Sequence, residues 1–195
     1  MSRLSTEQRQ DMIIDEAINI IHNGGYQSLS IRELAKQVRI SEPAIYRHFL
    51  NKEDIILGIL NRMVDFDHLL EREIMKQKTA QDKIRHFILF HFDFLEKKKE
   101  MTSVLFAEDM FDQSDILRQK LMFIIQKRKN LLSSILQESS QKGEVADVNH
   151  KDLLSLILGL IRMIVLEWRL SNFSFSLSER GKSIVKMLDK LIFMK

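Results

Sequence analysis

A short basic segment between residues 30 and 52 carries the side chains that are best suited to bind another molecule. It holds five basic residues against the acidic residues Glu33 and Glu42, and the basic ones are Arg32, Lys36, Arg39, Arg47 and Lys52. The formal net charge of the chain is +3, and the basic and acidic residues outside this segment cancel. A local excess of positive charge attracts polyanions, so the segment is a candidate for contact with nucleic acid.

Two short helices joined by a tight turn are predicted to carry this segment. Ser30 followed by Glu33 is the capping-box signature of a helix that runs to about Val38. Ser41 caps the next helix, whose first turn accepts Pro43 because an amide there needs no partner. The apolar residues of both helices form one core with helix-turn-helix spacing, and they are Leu34, Ala35, Val38, Ile40, Ile45 and Phe49.

The same stretch resembles the TetR (tetracycline-repressor-like) family of bacterial regulators. The resemblance is carried by Ser41, Pro43, Ala44, Ile45, Tyr46, His48, Phe49, Asn51, Lys52 and Glu53. A first helix that ends at Gly24-Gly25-Tyr26 fits the same layout. Arg39 departs from the pattern, because family members usually place glycine in that turn. A residue with a Cβ must then make the turn at some strain.

The resemblance implies which side chains meet DNA. It places Ser30, Tyr46, His48 and Lys52 on phosphates, and it directs Arg32, Glu42, Pro43, Ala44 and Arg47 towards base edges, with Ser41 among the contacts. Hydroxyls, lysine and helix N-termini suit phosphate oxygens, whereas an arginine can fork onto guanine. A helix with this exposed face fits a major groove about 12 Å wide.

Helical periodicity continues to the C-terminus and predicts an all-α protein. One proline and six glycines leave little material for strands. We expect about nine helices, grouped as a three-helix, helix-turn-helix DNA-binding domain at residues 1–50 and a larger ligand-binding and dimerisation domain at residues 51–195. A long helix capped by Asn51 links the two parts.

Phenylalanine and methionine crowd the middle of the chain, which is typical either of plain core or of an adaptable lipophilic pocket. The resemblance implies a ligand cavity in this region. The candidate pocket residues are Phe87, Phe92, Phe106, Met110, Ile125 and Arg128. Arg128 lies on an apolar stripe, where it meets an anionic ligand head, snorkels or pairs with a glutamate. We expect a small lipophilic effector, with a long-chain acyl compound as the first candidate.

The stretch from Leu153 to Trp168 is apolar nearly all round. Such a helix suits burial by its own domain on one side and by a second copy on the other. The candidate interface of a homodimer is Leu154, Ile157, Gly159, Ile161, Ile164 and Leu188. A two-fold dimer spaces its recognition helices by about 34–36 Å and requires a palindromic site.

Catalysis and metal binding find little support. His86 and His91 lie five residues apart and do not share a helix face, although Glu108 and Asp109 from a neighbouring helix could join them at a metal. The sequence has neither a nucleophile elbow nor a glycine-rich phosphate loop. We therefore expect no enzyme, no cofactor and no metal.

The chain shows no sign of export or membrane insertion. Glu7, Arg9 and Asp11 interrupt any apolar run near its start. The apolar stretch from Leu153 to Trp168 is shorter than the roughly 20 residues that span a bilayer, and Arg162 interrupts it. The absence of cysteine fits a reducing compartment. We expect a cytoplasmic protein with no membrane partner.

Two functions are compatible with these patterns. The leading hypothesis is a DNA-binding transcriptional regulator, either a repressor or an activator, that binds a palindromic operator as a dimer and is released by a small, mostly apolar effector. The alternative is a helical interaction or scaffold protein that uses the same helical pair to bind protein. A steep salt dependence of duplex binding separates the two.

Overall fold

The computed structural model describes residues 5–144 and 149–193, and these are helical with short connections. The helices of the described residues are α1 (Thr6–Gly24), α2 (Ile31–Val38), α3 (Glu42–Tyr46), α4 (Lys52–Met75), α5 (Ala80–Lys97), α6 (Met101–Leu105), α7 (Glu108–Asp112), α8 (Asp115–Gln141), α9 (His150–Leu170) and α10 (Leu177–Ile192). A 3-10 turn at Tyr26–Ser28 follows α1. The all-α class predicted from the sequence is confirmed.

The described residues form one α-helix more than the sequence predicts. The single helix expected from Met101 to Met110 is divided into α6 and α7. Its path is broken at Phe106, with φ −110° and ψ 11°, and at Ala107, with φ −85° and ψ 71°. The Phe106 amide still donates to the Thr102 carbonyl at 3.1 Å, whereas the Ala107 amide donates to the Val104 carbonyl, three residues back, at 3.3 Å, so the α-helical hydrogen-bond pattern ends there.

The helices form two compact units. Unit 1 consists of Met1–Asp65 and Lys99–Phe123, and unit 2 consists of Phe66–Lys98 and Ile124–Lys195. The helices α4 and α8 contribute residues to both units. The sequence predicts a boundary between two domains after residue 50. The compact units do not test whether those domains fold separately, so the boundary stays a prediction.

Of the caps predicted in unit 1, those of Ser30 and Asn51 are present, whereas the Ser41 side chain does not cap α3. Ser5 and Gln8 form a complete capping box at α1, in which each side chain bonds to the other residue's backbone. At α2 only half of the box is present, because the Ser30 hydroxyl accepts from the Glu33 amide at 3.1 Å. The Glu33 carboxylate instead accepts from the Gln37 side chain at 2.6 Å.

The helices α6 and α7 pack in unit 1, although α5, which precedes them in the chain, lies in unit 2. His22 near the end of α1 shares a hydrogen bond of 2.9 Å with the Ser103 hydroxyl of α6. Gln27 donates to the Asp109 carboxylate of α7 at 3.2 Å. The DNA-binding helices predicted from the sequence therefore share one compact body with α6 and α7.

In unit 2, α5 and α10 are joined by buried contacts, hydrogen bonds and an ion pair. The Glu96 carboxylate of α5 accepts from the backbone amides of Leu177, at 2.9 Å, and Ser178, at 3.2 Å, and so completes the N-terminus of α10. Near the other end, the Arg85 guanidinium pairs with Asp189 at 2.6 Å. These contacts fix the register of the two helices.

No helix of the described ranges is both long enough and apolar enough to cross a membrane.

The close approach of α10 to α5 depends on Gly181. A Cβ built there would lie 2.6 Å from Phe92 Cδ2, and Phe92 is completely buried. We expect Gly181→Ala to lower the free energy of unfolding by about 1–3 kcal/mol because of overpacking. This loss outweighs the ~1 kcal/mol that alanine gains over glycine in helix propensity.

Urea denaturation of Gly181→Ala, Phe92→Leu and the double variant measures this packing. The double variant should lose less stability than the sum of the two single variants, because leucine leaves room for the new methyl group. Additive losses would show that the two residues do not press on each other.

Candidate functional site

The residues predicted to contact DNA lie around the N-terminus of α2, along α3 and at the start of α4, all in unit 1. The exposed members are Ser30, Arg32, Ser41, Glu42, Pro43, Tyr46 and Arg47. Ala44, His48 and Lys52 are half-buried. Beneath them the predicted core residues are buried except Ile40, which is half-buried. The predicted set thus lies within one compact unit, and most of its members are exposed.

The turn between α2 and α3 carries the strain expected from the sequence. Arg39 adopts the left-handed conformation, with φ 59° and ψ 45°. Its amide donates to the Lys36 carbonyl at 3.2 Å, and the Ile40 amide donates to the Ala35 carbonyl at 3.0 Å. A non-glycine residue in this region costs about 1–2 kcal/mol. The hydrogen bonds and the core behind the turn hold α3 against α2 despite that cost.

The Ser41 hydroxyl at the N-terminus of α3 makes no capping hydrogen bond. Its carbonyl accepts instead from the amides of Ala44, at 2.9 Å, and Ile45, at 3.2 Å. The exposed hydroxyl therefore remains available for a phosphate oxygen, as the family resemblance implies for this surface.

Lys52 has a structural partner that the sequence analysis missed. Its ammonium donates to the Tyr26 carbonyl at 3.0 Å and lies 3.7 Å from the centroid of the Tyr26 ring. Burial lowers the pKa of Lys52, and the nearby Asp109 carboxylate opposes that shift. Lys52 thus ties the start of α4 to the turn after α1, and a phosphate contact would use another of its N–H groups. In the sequence, Gly24-Gly25-Tyr26 was the signal that could have indicated this contact.

An open groove of about 410 Å³ lies beside this surface. Its lining residues are Ser5, Thr6, Arg9, Ile40, Ala44, Arg47 and His48. The groove brings the first turn of α1 next to α3, so Thr6 and Arg9 are additional candidates for backbone contact. Hydroxyl and guanidinium groups suit phosphate oxygens. Sequence reasoning missed them because they lie far from the motif along the chain.

A second candidate site is a buried polar cluster in unit 2, formed by Asp67, His91 and Arg128 among phenylalanine rings. Arg128 Nε donates to Asp67 Oδ1 at 2.7 Å, and the guanidinium carbon lies 5.6 Å from the centroid of the Phe66 ring. Asp67 is only 2% exposed. The sequence left three roles open for Arg128, and the structure shows it paired with an aspartate.

His91 presents a buried acceptor to this cluster. Its Nδ1 lies 2.7 Å from the Phe87 carbonyl oxygen and must donate to it, so Nε2 is the unprotonated nitrogen. The ring lies between Phe66 and Phe87, with centroid distances of 5.1 Å and 4.5 Å. Burial, with a smaller contribution from the charge of Arg128, lowers the pKa of His91 to about 3. His91 is therefore neutral near pH 7.

Two atoms of this cluster are buried without a hydrogen-bond partner among the described residues, namely Asp67 Oδ2 and His91 Nε2. Both accept hydrogen bonds, and each buried polar atom left without a partner costs about 1–3 kcal/mol. Such atoms call for a functional or solvent explanation.

The remaining predicted pocket residues are distributed differently from the expectation. Phe106 and Met110 belong to unit 1, whereas Phe92, Ile125 and the cluster belong to unit 2. Phe92 packs at the contact of α5 with α10, since its ring faces Gly181. Phe92 is therefore core between these helices, while a role for the others in lining a ligand site stays a prediction.

The predicted dimer residues need a correction. Five of them are buried inside the single chain and form core of unit 2, namely Leu154, Ile157, Ile161, Ile164 and Leu188. Only Gly159 of the predicted set is exposed. The exposed apolar side chains of these two helices are Leu156, Met163 and Leu170 on α9 and Met187 and Leu191 on α10. The helix α9 is apolar, as the sequence indicates, but its exposed apolar side chains lie on the face opposite to the predicted one.

The metal alternative is not supported by the geometry. His86 stacks near Phe90, with ring centroids 5.9 Å apart, and His91 is committed to a backbone carbonyl. Glu108 and Asp109 lie in unit 1, not in unit 2 with the histidines. Within the described ranges, no three histidine or carboxylate side chains lie close enough to hold a metal ion.

Comparison with known proteins covers both parts of the chain. Residues 13–59 match the family model described as bacterial regulatory proteins, tetR family. Residues 59–190 match the one described as YsiA-like protein, C-terminal region. The chain is 30% identical over 179 residues to the fatty acid metabolism regulator protein of Bacillus subtilis (strain 168), which covers 90% of this chain and 91% of that protein.

Solved structures show the same fold. FadR from Bacillus subtilis in complex with stearoyl-CoA superimposes with a TM-score of 0.81 at 29% identity, covering 91% of this chain and 96% of that one. The fatty acid degradation regulator FadR from Bacillus halodurans gives a TM-score of 0.83 at 23% identity, with 96% of each chain covered.

Proposed function

Because the chain belongs to the TetR family of bacterial regulators, we propose that it is a dimeric repressor that a long-chain acyl thioester releases from a palindromic operator. The observation that carries this proposal is the 30% identity to a fatty acid metabolism regulator along 90% of the chain. The exposed helix-turn-helix surface supports the DNA-binding part, and the scaffold alternative has no support from the comparisons.

The division of labour on the DNA surface follows from chemistry and exposure. Arg32 and Arg47 are exposed guanidiniums that can reach base edges, whereas Lys52 is held near the backbone of the turn after α1. Planar guanidiniums form bidentate bonds to guanine, while an ammonium acts as a point charge on phosphate. We therefore assign base reading to the two arginines and sequence-independent attraction to Lys52.

Alanine substitution tests this assignment. Arg32→Ala or Arg47→Ala should cost ~1–3 kcal/mol on the operator and relax base preference, while Lys52→Ala should weaken binding to all duplexes and reduce the salt slope by about one unit. Fluorescence anisotropy measures binding to random DNA and to a palindrome that the protein itself selects from random duplexes. Arg180→Ala serves as the control, because it removes the same charge from an exposed position on α10.

Equal losses on operator and random DNA would remove the two arginines from base reading. Melting curves of Lys52→Ala show whether loss of the Tyr26 contact, rather than loss of a phosphate contact, weakens binding.

The effector assignment rests on the relatives and on the cluster in unit 2. The Bacillus subtilis FadR structure contains stearoyl-CoA. In this chain, phenylalanine rings surround a buried polar cluster in which two atoms have no hydrogen-bond partner among the described residues. An effector that prefers the state with misplaced recognition helices must lower DNA affinity, and DNA must lower effector affinity by the same factor. Since α4 begins on the DNA surface and continues into unit 2, it is the proposed lever.

A coupled titration tests this release. We expect saturating palmitoyl-CoA to weaken operator binding at least tenfold, which corresponds to about 1.4 kcal/mol of coupling. The same compound should raise the melting temperature of the free protein. Free CoA is the control, since it lacks the acyl chain. If palmitoyl-CoA stabilises nothing and shifts no affinity, the proposed effector is wrong and a constitutive regulator remains.

The dimer is proposed to form through α9 and α10. Leu156 and Met163 on α9 are 52% and 63% exposed, and Met187 and Leu191 on α10 are 46% and 63% exposed. Gly159 lies between the two α9 residues, where a Cβ would meet nothing within 4 Å, so a partner helix can approach closely. Burial of these side chains by a second copy removes apolar area from water.

Substitution of this face should separate the protomers. We expect Met163→Asp and Gly159→Arg to give monomers at concentrations where the parent protein is a dimer, because a charge would be buried in an apolar contact. Light scattering measures the mass. Met122→Asp, at an exposed methionine of α8, is the matched control. A dimer that survives both α9 substitutions places the interface elsewhere.

The proposed function needs no catalytic residue, so we assign no enzymatic activity. The protein would work where the DNA is, in the bacterial cytoplasm.

A further inference from the structure

The buried cluster of Asp67, His91 and Arg128 contains two hydrogen-bond acceptors without partners among the described residues. These acceptors indicate which chemical groups a bound ligand must supply. Asp67 Oδ2 and His91 Nε2 both lack donors among the described residues, and the two side chains are 2% and 4% exposed. Both side chains lie near the Arg128 guanidinium, which bonds to Asp67 and influences His91 electrostatically. A ligand that satisfies this pair must bring N–H or O–H donors.

The surroundings restrict where on a ligand those donors lie. Phe66 is tilted against Phe90, with ring centroids 5.3 Å apart, and against Phe94, with centroids 4.3 Å apart. Phe87, fully buried, covers His91 on another side. Aromatic rings suit a hydrocarbon chain. The acceptors therefore suit the point of a ligand where an apolar chain gives way to a polar segment.

The charge balance of the cluster excludes a carboxylate end. Asp67 bonds directly to Arg128, so the positive charge that would attract an anion is already paired. Burial raises the pKa of the Asp67 carboxyl, and the charge and hydrogen bond of Arg128 oppose that shift. A fatty acid carboxylate would bring further acceptor oxygens towards Asp67 Oδ2 and His91 Nε2, and it would be repelled. A coenzyme A thioester has no charge at the thioester, and the first polar groups beyond it are two secondary amides, each with an N–H donor.

We infer that Asp67 and His91 accept hydrogen bonds from the amide N–H groups beside the acyl thioester and so select the thioester over the free fatty acid. This inference rests on the proposed function, because it assumes an acyl thioester effector. It assigns a specificity role to His91, which the sequence analysis considered only as a metal ligand, and gives Arg128 the role of neutralising Asp67.

Binding measurements on three ligands with one acyl chain test the inference. Palmitoyl-CoA carries the chain and the donors, methyl palmitate carries the chain without donors, and palmitate carries the chain with a carboxylate. His91→Phe keeps a ring between Phe66 and Phe87 and removes the Nε2 acceptor. We expect it to weaken palmitoyl-CoA binding by about tenfold, the value of one net hydrogen bond, and to leave methyl palmitate binding unchanged.

Asp67→Asn tests the other acceptor and the charge balance. The amide oxygen can still accept from Arg128, but an NH₂ donor replaces Oδ2 and the Arg128 charge is no longer neutralised. Palmitoyl-CoA affinity should therefore fall, while palmitate affinity should rise above that of the parent protein. His86→Phe, on the same helix and stacked near Phe90, is the matched control and should leave all three affinities unchanged.

The outcomes separate this inference from the proposed function. If the parent protein binds palmitoyl-CoA and His91→Phe weakens palmitoyl-CoA and methyl palmitate equally, the ring only packs and the inference is wrong. If neither variant changes palmitoyl-CoA binding, buried water satisfies the two acceptors and the inference is also wrong. If the parent protein binds no palmitoyl-CoA, the proposed effector fails and the inference fails with it. Melting curves confirm that each variant is folded.

Discussion

The burial of α1 from Ile13 to Ile21 is the constraint on which unit 1 depends. Ile13, Ala17 and Ile21 are at most 1% exposed, and Ile14, Ile18 and Ile20 are buried with them. These residues leave only a narrow exposed strip, so α1 has apolar neighbours on several sides. It packs against α2, the 3-10 turn and α6, and its end is fixed by the His22 contact to Ser103. A displacement of α6 must therefore displace the DNA surface as well.

The same arrangement explains why short elements can hold a recognition surface. The five residues of α3 cannot be stable alone, since nucleation of so short a helix is unfavourable. Its position is instead fixed by the buried Ile45 and Phe49 and by the strained turn at Arg39. Lys52 adds a bond from α4 to the turn after α1, so the groups that face DNA are held by long-range contacts.

In unit 2, the buried polar groups are well hydrogen-bonded where α5 meets α10, but not in the Asp67 cluster. Where α5 meets α10, Glu96 accepts from two backbone amides and from the Ser178 hydroxyl, and burial would raise the pKa of its carboxyl, but these hydrogen bonds hold it below the usual value. In the Asp67 cluster two acceptors have no donor among the described residues. A protein interior whose other polar groups are hydrogen-bonded can tolerate unpaired polar atoms at a functional site. The free-energy cost of leaving them unpaired is recovered when a ligand binds to them.

The sequence by itself determined the local structure and the class of protein. The caps at Ser30 and Asn51 and the core of the helix-turn-helix were readable, because each depends on residues a few positions apart. The strain at Arg39 was expected from the family resemblance, because family members usually place glycine in that turn, and Arg39 does adopt the left-handed conformation. The tertiary structure alone decided which face of α9 is core. The sequence of a helix that is apolar nearly all round does not indicate which of its faces packs against the rest of the protein. It also decided that Arg128 pairs with Asp67, 61 residues away in sequence, and that His91 Nε2 has no donor within the part of the chain that the structure describes. Hydrogen bonds between distant helices depend on packing angles that no local spacing specifies.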